Sequence, residues 1–272
     1  MSSAAAGDGL DRADAAQYWD DVGTAWTADR PDALWRACCD RRNAALVRRW
    51  LTATRPARLL KTDTFDEAVS DGLFETLSLC AGRVSGLDIS PVIARAARDR
   101  HPTFDATAGD VRHLPYADDA FDAIVSISTL DHFDSRDDIP RALVEIHRIL
   151  RPGGGLLITL DNETNPLVAV RNRLPFALLH RIGLVPYRVG RSCSGRTLRR
   201  MLDACGFDVR ALTYVEHCPR LVAVRVARLV DRTAGDGWRS AFTRAVAACE
   251  RLEHWPLRAI TGHYVAAWAV KT

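Results

Sequence analysis

FDATAGDVRHLPYADDAFDAIVSISTLDHF, residues 104–133, is the stretch that decides the fold of this chain. Its two apolar runs, at 104–108 and 121–126, predict strands, and the β-branched character of the second indicates a buried strand. A polar segment that contains proline predicts a surface loop between them. Ligands of an open α/β sheet bind beyond the carboxyl ends of its strands. Asp110 and Ile127 lie at two such ends, which makes them candidate ligand-binding residues.

This stretch and the segment EIHRILRPGGGLLITLD, residues 145–161, resemble the cofactor-binding half of class I (Rossmann-like) S-adenosylmethionine (SAM)-dependent methyltransferases. Three features carry the resemblance in combination: an acidic residue after the third strand, an LP-hydrophobic-x-D-x-x-F-D run, and an L-(R/K)-P-G-G segment before a strand. For this chain the resemblance implies a three-layer α/β sandwich with helical N-terminal and late insertions. Its mostly parallel seven-stranded sheet would have the order 3-2-1-4-5-7-6, with the seventh strand antiparallel.

One motif departs from the family pattern. The family has a glycine-rich D-x-G-x-G-x-G loop after the first strand, whereas this chain reads KTDTFDEA at residues 61–68. Three carboxylates at a helix N-terminus repel a pyrophosphate, which argues against NAD or FAD. SAM carries a sulfonium and an ammonium group and tolerates such a loop. Thr62, Asp63 and Glu67 are the candidate cofactor-binding residues of this loop, and we expect at least one of Asp63 and Glu67 to face the amino-acid end of SAM. The alternative for Asp63 is that it only complements the helix dipole.

Two acidic residues at strand ends are the main candidates for holding the nucleoside. Asp88 ends the predicted strand 83–88, where an acid can accept hydrogen bonds from both ribose hydroxyls. The resemblance implies that Asp110 accepts from the adenine amino group and that the backbone of Val111 holds the ring edge. The alternative for Asp110 is that it only closes a turn after Gly109.

His132 is the candidate general base, with Asp131 beside it. The resemblance implies a place near the acceptor, because family members often have a histidine in an L-x-H sequence here. An imidazole titrates close to neutral pH and can take the proton of a hydroxyl acceptor. The alternative is a structural histidine that caps the segment or bonds a backbone carbonyl. Methyl transfer of this kind requires no metal.

The chain divides into three parts on sequence grounds. Residues 1–10 are small and polar and predict a disordered tail. Residues 11–55 predict a helical N-terminal cap, whose aromatic side chains either form core or cover the cofactor. Residues 56–272 predict the SAM-binding domain, with a helical cover at about 166–191 and a helical insertion at about 219–255. The cover is cationic and apolar, so it either lies over an anionic or lipid-like acceptor, touches a membrane surface, or is a lid with a solvated arginine face.

Bulk composition excludes several classes of protein. The net charge of +3, from 37 basic and 34 acidic residues, is too balanced for a nucleic-acid-binding protein. The seven cysteines lack a C-x-x-C motif, so we expect neither disulfides nor zinc and favour the cytoplasm. Neither a signal peptide nor an apolar run of the ~18 residues needed for a membrane span is present in the sequence. The oligomeric state stays open.

These observations together favour SAM-dependent methylation of a small molecule, on oxygen rather than on nitrogen or carbon, with a hydroxyl of a natural product, a sugar or a lipid-like compound as the acceptor. One alternative, motivated by the glycine-free loop, is a SAM-fold protein that binds a ligand or partner without methyl transfer. A nicotinamide oxidoreductase is a second alternative, which the acidic loop disfavours.

Overall fold

The structure is a computed structural model that describes residues 12–133, 135, 137–182, 185–190, 192–233 and 235–272. The tail that the sequence predicts at residues 1–10 lies outside the described residues.

Within the described residues, seven strands form one sheet of order β3-β2-β1-β4-β5-β7-β6. The strands are β1 Arg58–Lys61, β2 Arg83–Asp88, β3 Asp105–Ala108, β4 Phe121–Ile127, β5 Leu150–Asp161, β6 Phe207–Val215 and β7 Tyr264–Lys271. Strands β1 to β5 pair in parallel, and β7 is antiparallel to both β5 and β6. This topology confirms the sheet that the sequence predicts.

Helices lie on both faces of the sheet. Their bounds are α1 Arg12–Asp29, α2 Ala33–Leu51, α3 Phe65–Val69, α4 Phe74–Cys80, α5 Pro91–Arg100, α6 Asp138–Ile149, α7 Pro166–Arg171, α8 Phe176–Arg181, α9 Gly195–Ala204, α10 Arg220–Thr233, α11 Asp236–Cys249 and α12 Arg258–Thr261. One apolar layer packs α6 and α9 on the sheet, and a second packs α2, α4 and α5 on the opposite face. The architecture is therefore the predicted three-layer sandwich.

Strand β4 shows why the central strands read as unbroken apolar runs. Ile124 belongs to one apolar layer and its neighbour Val125 to the other, and both side chains are fully buried. Successive side chains of a strand point to opposite faces, so a strand covered on both faces needs an apolar residue at every position. The carboxyl ends of the parallel strands, beyond the apolar layers, are where a ligand site is expected.

None of the helices within the described ranges is both long enough and apolar enough to cross a membrane.

Candidate active site

A cavity of about 410 Å³ lies at the carboxyl ends of β1 to β4. Most of the residues that the sequence singled out line it: Thr62, Asp63, Asp88, Asp110, Val111, Ile127 and His132. Asp131 lines a second cavity of about 200 Å³ next to the first. The sheet topology therefore brings these residues to one place, as expected for residues at the ends of parallel strands.

The structure corrects the expectation that Glu67 faces the cofactor. Glu67 is fully buried and accepts hydrogen bonds from Lys61 Nζ at 2.8 Å and from the backbone N–H of Leu73 at 2.8 Å. Burial alone lowers the pKa of Lys61, but the charges of Asp63 and Glu67 outweigh it and raise that pKa. Glu67 is the counter-ion of a buried lysine, and its orientation follows from that pairing.

The other two residues of this loop stay on the cavity wall. Asp63 accepts a hydrogen bond from Thr129 Oγ1 at 2.9 Å, and the hydroxyl of Thr62 donates to the same Thr129 oxygen at 3.2 Å. Lys61 Nζ lies 3.1 Å from Asp63 Oδ1 and offsets its charge. These bonds hold the loop after β1 against the loop after β4, across the floor of the cavity.

A glycine on the neighbouring strand compensates for the glycine-free loop. Gly86 of β2 lies under Thr64, and a Cβ atom at position 86 would come within 2.6 Å of the Thr64 methyl carbon. The backbone N–H of Thr64 donates to Asp88 Oδ2 at 2.8 Å, and its hydroxyl lies 3.3 Å from the same oxygen. The loop after β1 can thus approach β2 closely because the small residue lies on the strand, at Gly86, and not in the loop.

Asp88 lies at the end of β2, where the sequence placed it. Its carboxylate accepts backbone N–H groups on both oxygens, from Thr64 and, at 3.0 Å, from Ser90. Burial raises the pKa of Asp88 to about 7, although both hydrogen bonds act in the opposite direction. Oδ2 also accepts the hydroxyl of Thr64, whereas Oδ1 keeps a second lone pair and can still accept a hydrogen bond from a ribose hydroxyl in the cavity.

Asp110 is held by an arginine that the sequence analysis did not assign. Arg112 donates to both carboxylate oxygens of Asp110, at 3.0 Å from Nε and 2.8 Å from Nη2, and also to Asp138 at 3.0 Å. Its guanidinium carbon lies 5.2 Å from the centroid of the Phe133 ring. An adenine amino group at Asp110 would therefore share the carboxylate with Arg112. The signal in the sequence was an arginine two positions after an acid, which is weak by itself.

His132 lines both cavities. Its Nδ1 atom lies 3.0 Å from the backbone carbonyl oxygen of Arg188. A carbonyl oxygen only accepts, so Nδ1 carries the proton and Nε2 has the free lone pair in the neutral imidazole. The ring packs at 4.9 Å from Trp19 and 5.5 Å from Tyr187. The hydrogen bond to the Arg188 carbonyl is the one that a structural histidine would make. The position of the ring on both cavities is the one that a catalytic base would need. Both features are present in the structure.

Asp131 is the buried acid beside His132. Its Oδ2 atom accepts a hydrogen bond from Ser128 Oγ at 2.9 Å, whereas Oδ1 has no hydrogen-bond partner and lies 4.0 Å from His132 Nε2. Burial, followed by the charge of Asp161, raises the pKa of Asp131 to about 6. Oδ1 of Asp131 and Nε2 of His132 can therefore both accept a hydrogen bond from a ligand at the boundary of the two cavities.

Aromatic side chains close the cavity from above. Trp19 and Trp26 of α1 contact Tyr187, with ring centroids at 5.5 and 5.8 Å, and Phe65 lies 5.4 Å from Trp26. The hydroxyl of Tyr18 accepts the backbone N–H of Arg188 at 2.7 Å. The N-terminal aromatic residues, whose role the sequence left open, thus line the cavity and connect α1 to the segment at 185–190.

Comparisons with known proteins agree with this geometry. Residues 57–158 match a family model described as a methyltransferase domain. A protein of Mycolicibacterium smegmatis named as a probable SAM-dependent methyltransferase is 29% identical over 167 residues, which are 61% of this chain and 58% of that protein. The malonyl-acyl-carrier-protein O-methyltransferase of Pectobacterium atrosepticum is 38% identical over 90 residues, 33% of this chain and 34% of the relative. Residues 57–158 therefore form a methyltransferase domain of this chain, and the sheet order is the one expected for class I SAM-dependent methyltransferases.

The fold of this chain also occurs in the crystal structure of the 4+2 cyclase SpnF. The TM-score is 0.52 at 21% identity, over 85% of this chain and 80% of that one. The chain spans less than two thirds of the length of both curated relatives, 58% and 34%. The match to the family model covers residues 57–158 and ends before α7.

SAM is the cofactor of the class I methyltransferases, and the charges of the larger cavity fit it. Carboxylates of Asp63, Asp88 and Asp110 follow β1, β2 and β3 in turn along one wall. A cationic sulfonium and ammonium are favoured beside such a wall, whereas the pyrophosphate of a dinucleotide is not. The atypical loop of this chain therefore remains compatible with SAM.

Proposed function

We propose that this chain transfers the methyl group of SAM to a hydroxyl group of a small-molecule acceptor. The observation that carries the proposal is the position of His132, which lies at the boundary between the larger and the smaller cavity. A group placed there can reach an acceptor in one cavity while the cofactor residues line the other. The name of the Pectobacterium relative, an O-methyltransferase, supports oxygen as the accepting atom.

Bound SAM supplies an activated methyl group. Asp88 accepts a ribose hydroxyl, and Trp19 with Tyr187 excludes water from the space above His132. Nδ1 of His132 is fixed by the carbonyl of Arg188, so Nε2 is the atom that takes the acceptor proton. The nearby carboxylate of Asp131 stabilises the imidazolium that results.

A second candidate function is ligand binding, or another reaction, without methyl transfer. It is favoured by the loop after β1, in which Lys61 and Glu67 form a buried ion pair where the family has glycines. The shared fold does not decide between the two functions, since one fold neighbour is named a cyclase. Binding of S-adenosylhomocysteine (SAH) without methyl transfer to any acceptor would favour this second function.

The first test is calorimetric titration of the protein with SAH. We expect binding in the parent protein and a Kd about 10- to 100-fold weaker in Asp88→Ala, because a hydrogen bond to a charged group contributes about 1.5–3 kcal/mol. Asp105→Ala is the control, because that carboxylate is exposed on the adjacent strand and pairs with exposed Arg83. Absence of SAH binding at hundreds of micromolar would contradict the proposal.

The second test is methyl transfer by His132→Ala. Mass spectrometry of a panel of hydroxylated compounds incubated with SAM identifies an acceptor for the parent protein. We expect the variant to bind SAH normally and to lose about 10²–10⁴-fold in the single-turnover rate, the usual contribution of a positioned base. His254→Ala, an exposed histidine outside both cavities, should keep the parent rate. A His132→Ala rate within about threefold of the parent would show that the imidazole is structural.

A further inference from the structure

The second cavity has apolar walls. They come from α7, α8, the segment that follows α8, and the first turn of α10. The apolar side chains that line it are Leu167, Val170, Leu174, Leu179, Val185 and Leu221. Such walls bind the hydrocarbon part of a ligand, because burial of apolar surface is the main favourable contribution at a site of this kind.

Two arginines lie at the base of this cavity, and each forms an ion pair with a carboxylate of the described residues. Arg171 Nη2 lies 2.5 Å from Asp161 Oδ2, and Arg220 Nη1 lies 3.2 Å from Glu216 Oε1. Arg220 also donates to the hydroxyl of Tyr264 at 2.5 Å. An anionic ligand would therefore meet guanidinium groups that are already neutralised and would face carboxylates.

Among the described residues that line this base, Asp131 and His263 each have a buried polar atom without a hydrogen-bond partner. His263 Nε2 lies 3.4 Å from the carboxylate of Asp161, so the atom that is left for a ligand is the acceptor of Asp131. Asp131 lines the cavity, its side chain is 1% exposed, and Oδ1 has no hydrogen-bond partner. A buried acceptor without a partner is unfavourable, and a donor on a ligand relieves this penalty. A hydroxyl group is a donor that brings no charge of its own into an apolar site.

We propose that the second cavity binds a neutral amphiphilic acceptor, with its hydrocarbon body between α7, α8 and α10 and its hydroxyl on Oδ1 of Asp131. This assignment rests on the proposed function and adds the substrate class to it. It places the hydroxyl beside His132, which borders both cavities. Because Oδ1 of Asp131 and Nε2 of His132 are 4.0 Å apart, one hydroxyl oxygen can lie within hydrogen-bond distance of both. Its proton lies toward Oδ1 when the acceptor binds, and it turns to Nε2 by rotation about the C–O bond as the oxygen takes the methyl group. It also selects the lipid-like acceptor over the anionic acceptor, the two kinds that the sequence left open.

Binding of three matched probes tests the polar end of the site. Octan-1-ol, octanoate and 1-methoxyoctane are titrated into the SAH-saturated protein at pH 8 and followed by calorimetry. The ether cannot donate a hydrogen bond and should bind about tenfold more weakly than the alcohol. Octanoate should bind at least about tenfold more weakly, because its charge lacks a partner in the site. Equal or tighter binding of either probe overturns the proposal, as does the absence of octan-1-ol binding at its solubility limit.

Two valine variants test the apolar wall. Val170 lines the cavity and Val144 lies on α6 outside it, and both are 56% exposed. Val170→Asp should weaken octan-1-ol binding at least about tenfold, because it puts a carboxylate against the hydrocarbon chain. Val144→Asp should leave it unchanged. Equal effects of the two variants would overturn the assignment of the wall.

The titration with SAH alone separates this inference from the proposed function. Both valine variants should bind SAH like the parent, because neither valine lines the larger cavity. Failure of SAH to bind the parent protein contradicts the proposed function. Normal SAH binding with failure of octan-1-ol to bind contradicts the acceptor class alone.

Discussion

Asp131 makes the folded protein less stable at neutral pH than an uncharged residue of the same shape would. Its side chain is buried, one of its oxygens is unpartnered, and burial raises its pKa to about 6. Sites that carry a function commonly keep such unfavourable groups. The stability of the protein should therefore depend on the protonation of this carboxyl group.

Asp131→Asn is predicted to stabilise the protein at neutral pH. A carboxyl group whose folded pKa is raised binds its proton more tightly in the folded state. Its contribution to stability is fully present below the unfolded pKa near 3.8 and is lost as the pH rises through about 6. The variant should thus gain on the order of 1–3 kcal/mol over the parent at pH 7–8, and the gain should disappear near pH 4.

Urea unfolding at a series of pH values measures this difference. Asp208→Asn is the control, because Asp208 is largely exposed and pairs with exposed Arg210. It should change the free energy of unfolding by less than about 1 kcal/mol at every pH. A pH-independent difference between Asp131→Asn and the parent would show that the Asp131 carboxyl group does not titrate differently in the folded state.

At the scale of elements, helix α1 packs closely against α5 because residue 23 of α1 is a glycine. A Cβ atom at Gly23 would lie 2.5 Å from Cγ1 of Ile93. Asp20 of α1 also accepts the hydroxyl of Ser90, which caps the N-terminus of α5. The position of α1 determines where Trp19 contacts His132. The packing of α1 on α5 therefore affects the shape of the larger cavity.

Gly23→Leu is predicted to weaken SAH binding, because the larger side chain displaces α1 and with it the aromatic wall of the cavity. Gly237→Leu is the matched control in α11, where a Cβ atom meets nothing within 4 Å. Thermal unfolding should show a loss of about 1–3 kcal/mol for Gly23→Leu and none for the control. Equal SAH affinities in the two variants would mean that α1 is not part of the cofactor site.

The sequence predicts the elements well and the partners of charged side chains poorly. Apolar and β-branched runs place β2, β3 and β4 within one residue of their observed ends. The end of β2 also places Asp88, because a strand end is a local property. The pairing of Lys61 with Glu67, and of Arg112 with Asp110, depends on side-chain directions in the folded protein. For this reason the sequence predicts Glu67 as a cofactor-binding residue, whereas in the structure it is the counter-ion of the buried Lys61.

For the whole molecule, one buried charge cluster joins the N-terminal helices to the late part of the chain. Glu216, directly after β6, forms ion pairs with Arg42 of α2 and Arg220 of α10. Tyr264, the first residue of β7, accepts from Arg220 and lies under the Arg42 guanidinium at 5.4 Å. The cluster fixes Arg220 and Tyr264, which line both cavities.

Glu216→Gln is predicted to cost about 3–5 kcal/mol in the free energy of unfolding, because it removes the buried carboxylate that pairs with the largely buried guanidinium groups of Arg42 and Arg220. Burial raises the pKa of Glu216, but Arg220 and Arg42 outweigh it and lower that pKa to about 2. Its contribution is therefore present above the unfolded pKa near 4.5 and is lost as the pH falls toward 2. The destabilisation by the variant should shrink over the same range.

The Arg49–Glu253 pair supplies the matched control, since it also joins α2 to the late helical region but has a half-exposed arginine. Glu253→Gln should cost less than about 1 kcal/mol. Denaturant unfolding of both variants measures the difference. Equal costs would show that the Glu216 cluster contributes no more than a surface ion pair.

The position of β7 has a consequence for the order in which the protein forms during translation. Strands β1 to β5 can pair as soon as residue 161 has left the ribosome, whereas β5 and β6 reach each other only through β7. The residues between β6 and β7, 216–263, take roughly 2–10 s to synthesise at about 5–20 residues per second. During that interval the strands that carry the predicted cofactor residues can already pair, and β3 and β5 are the two edges of the partial sheet. Unpaired sheet edges are sites where chaperones bind or aggregation begins.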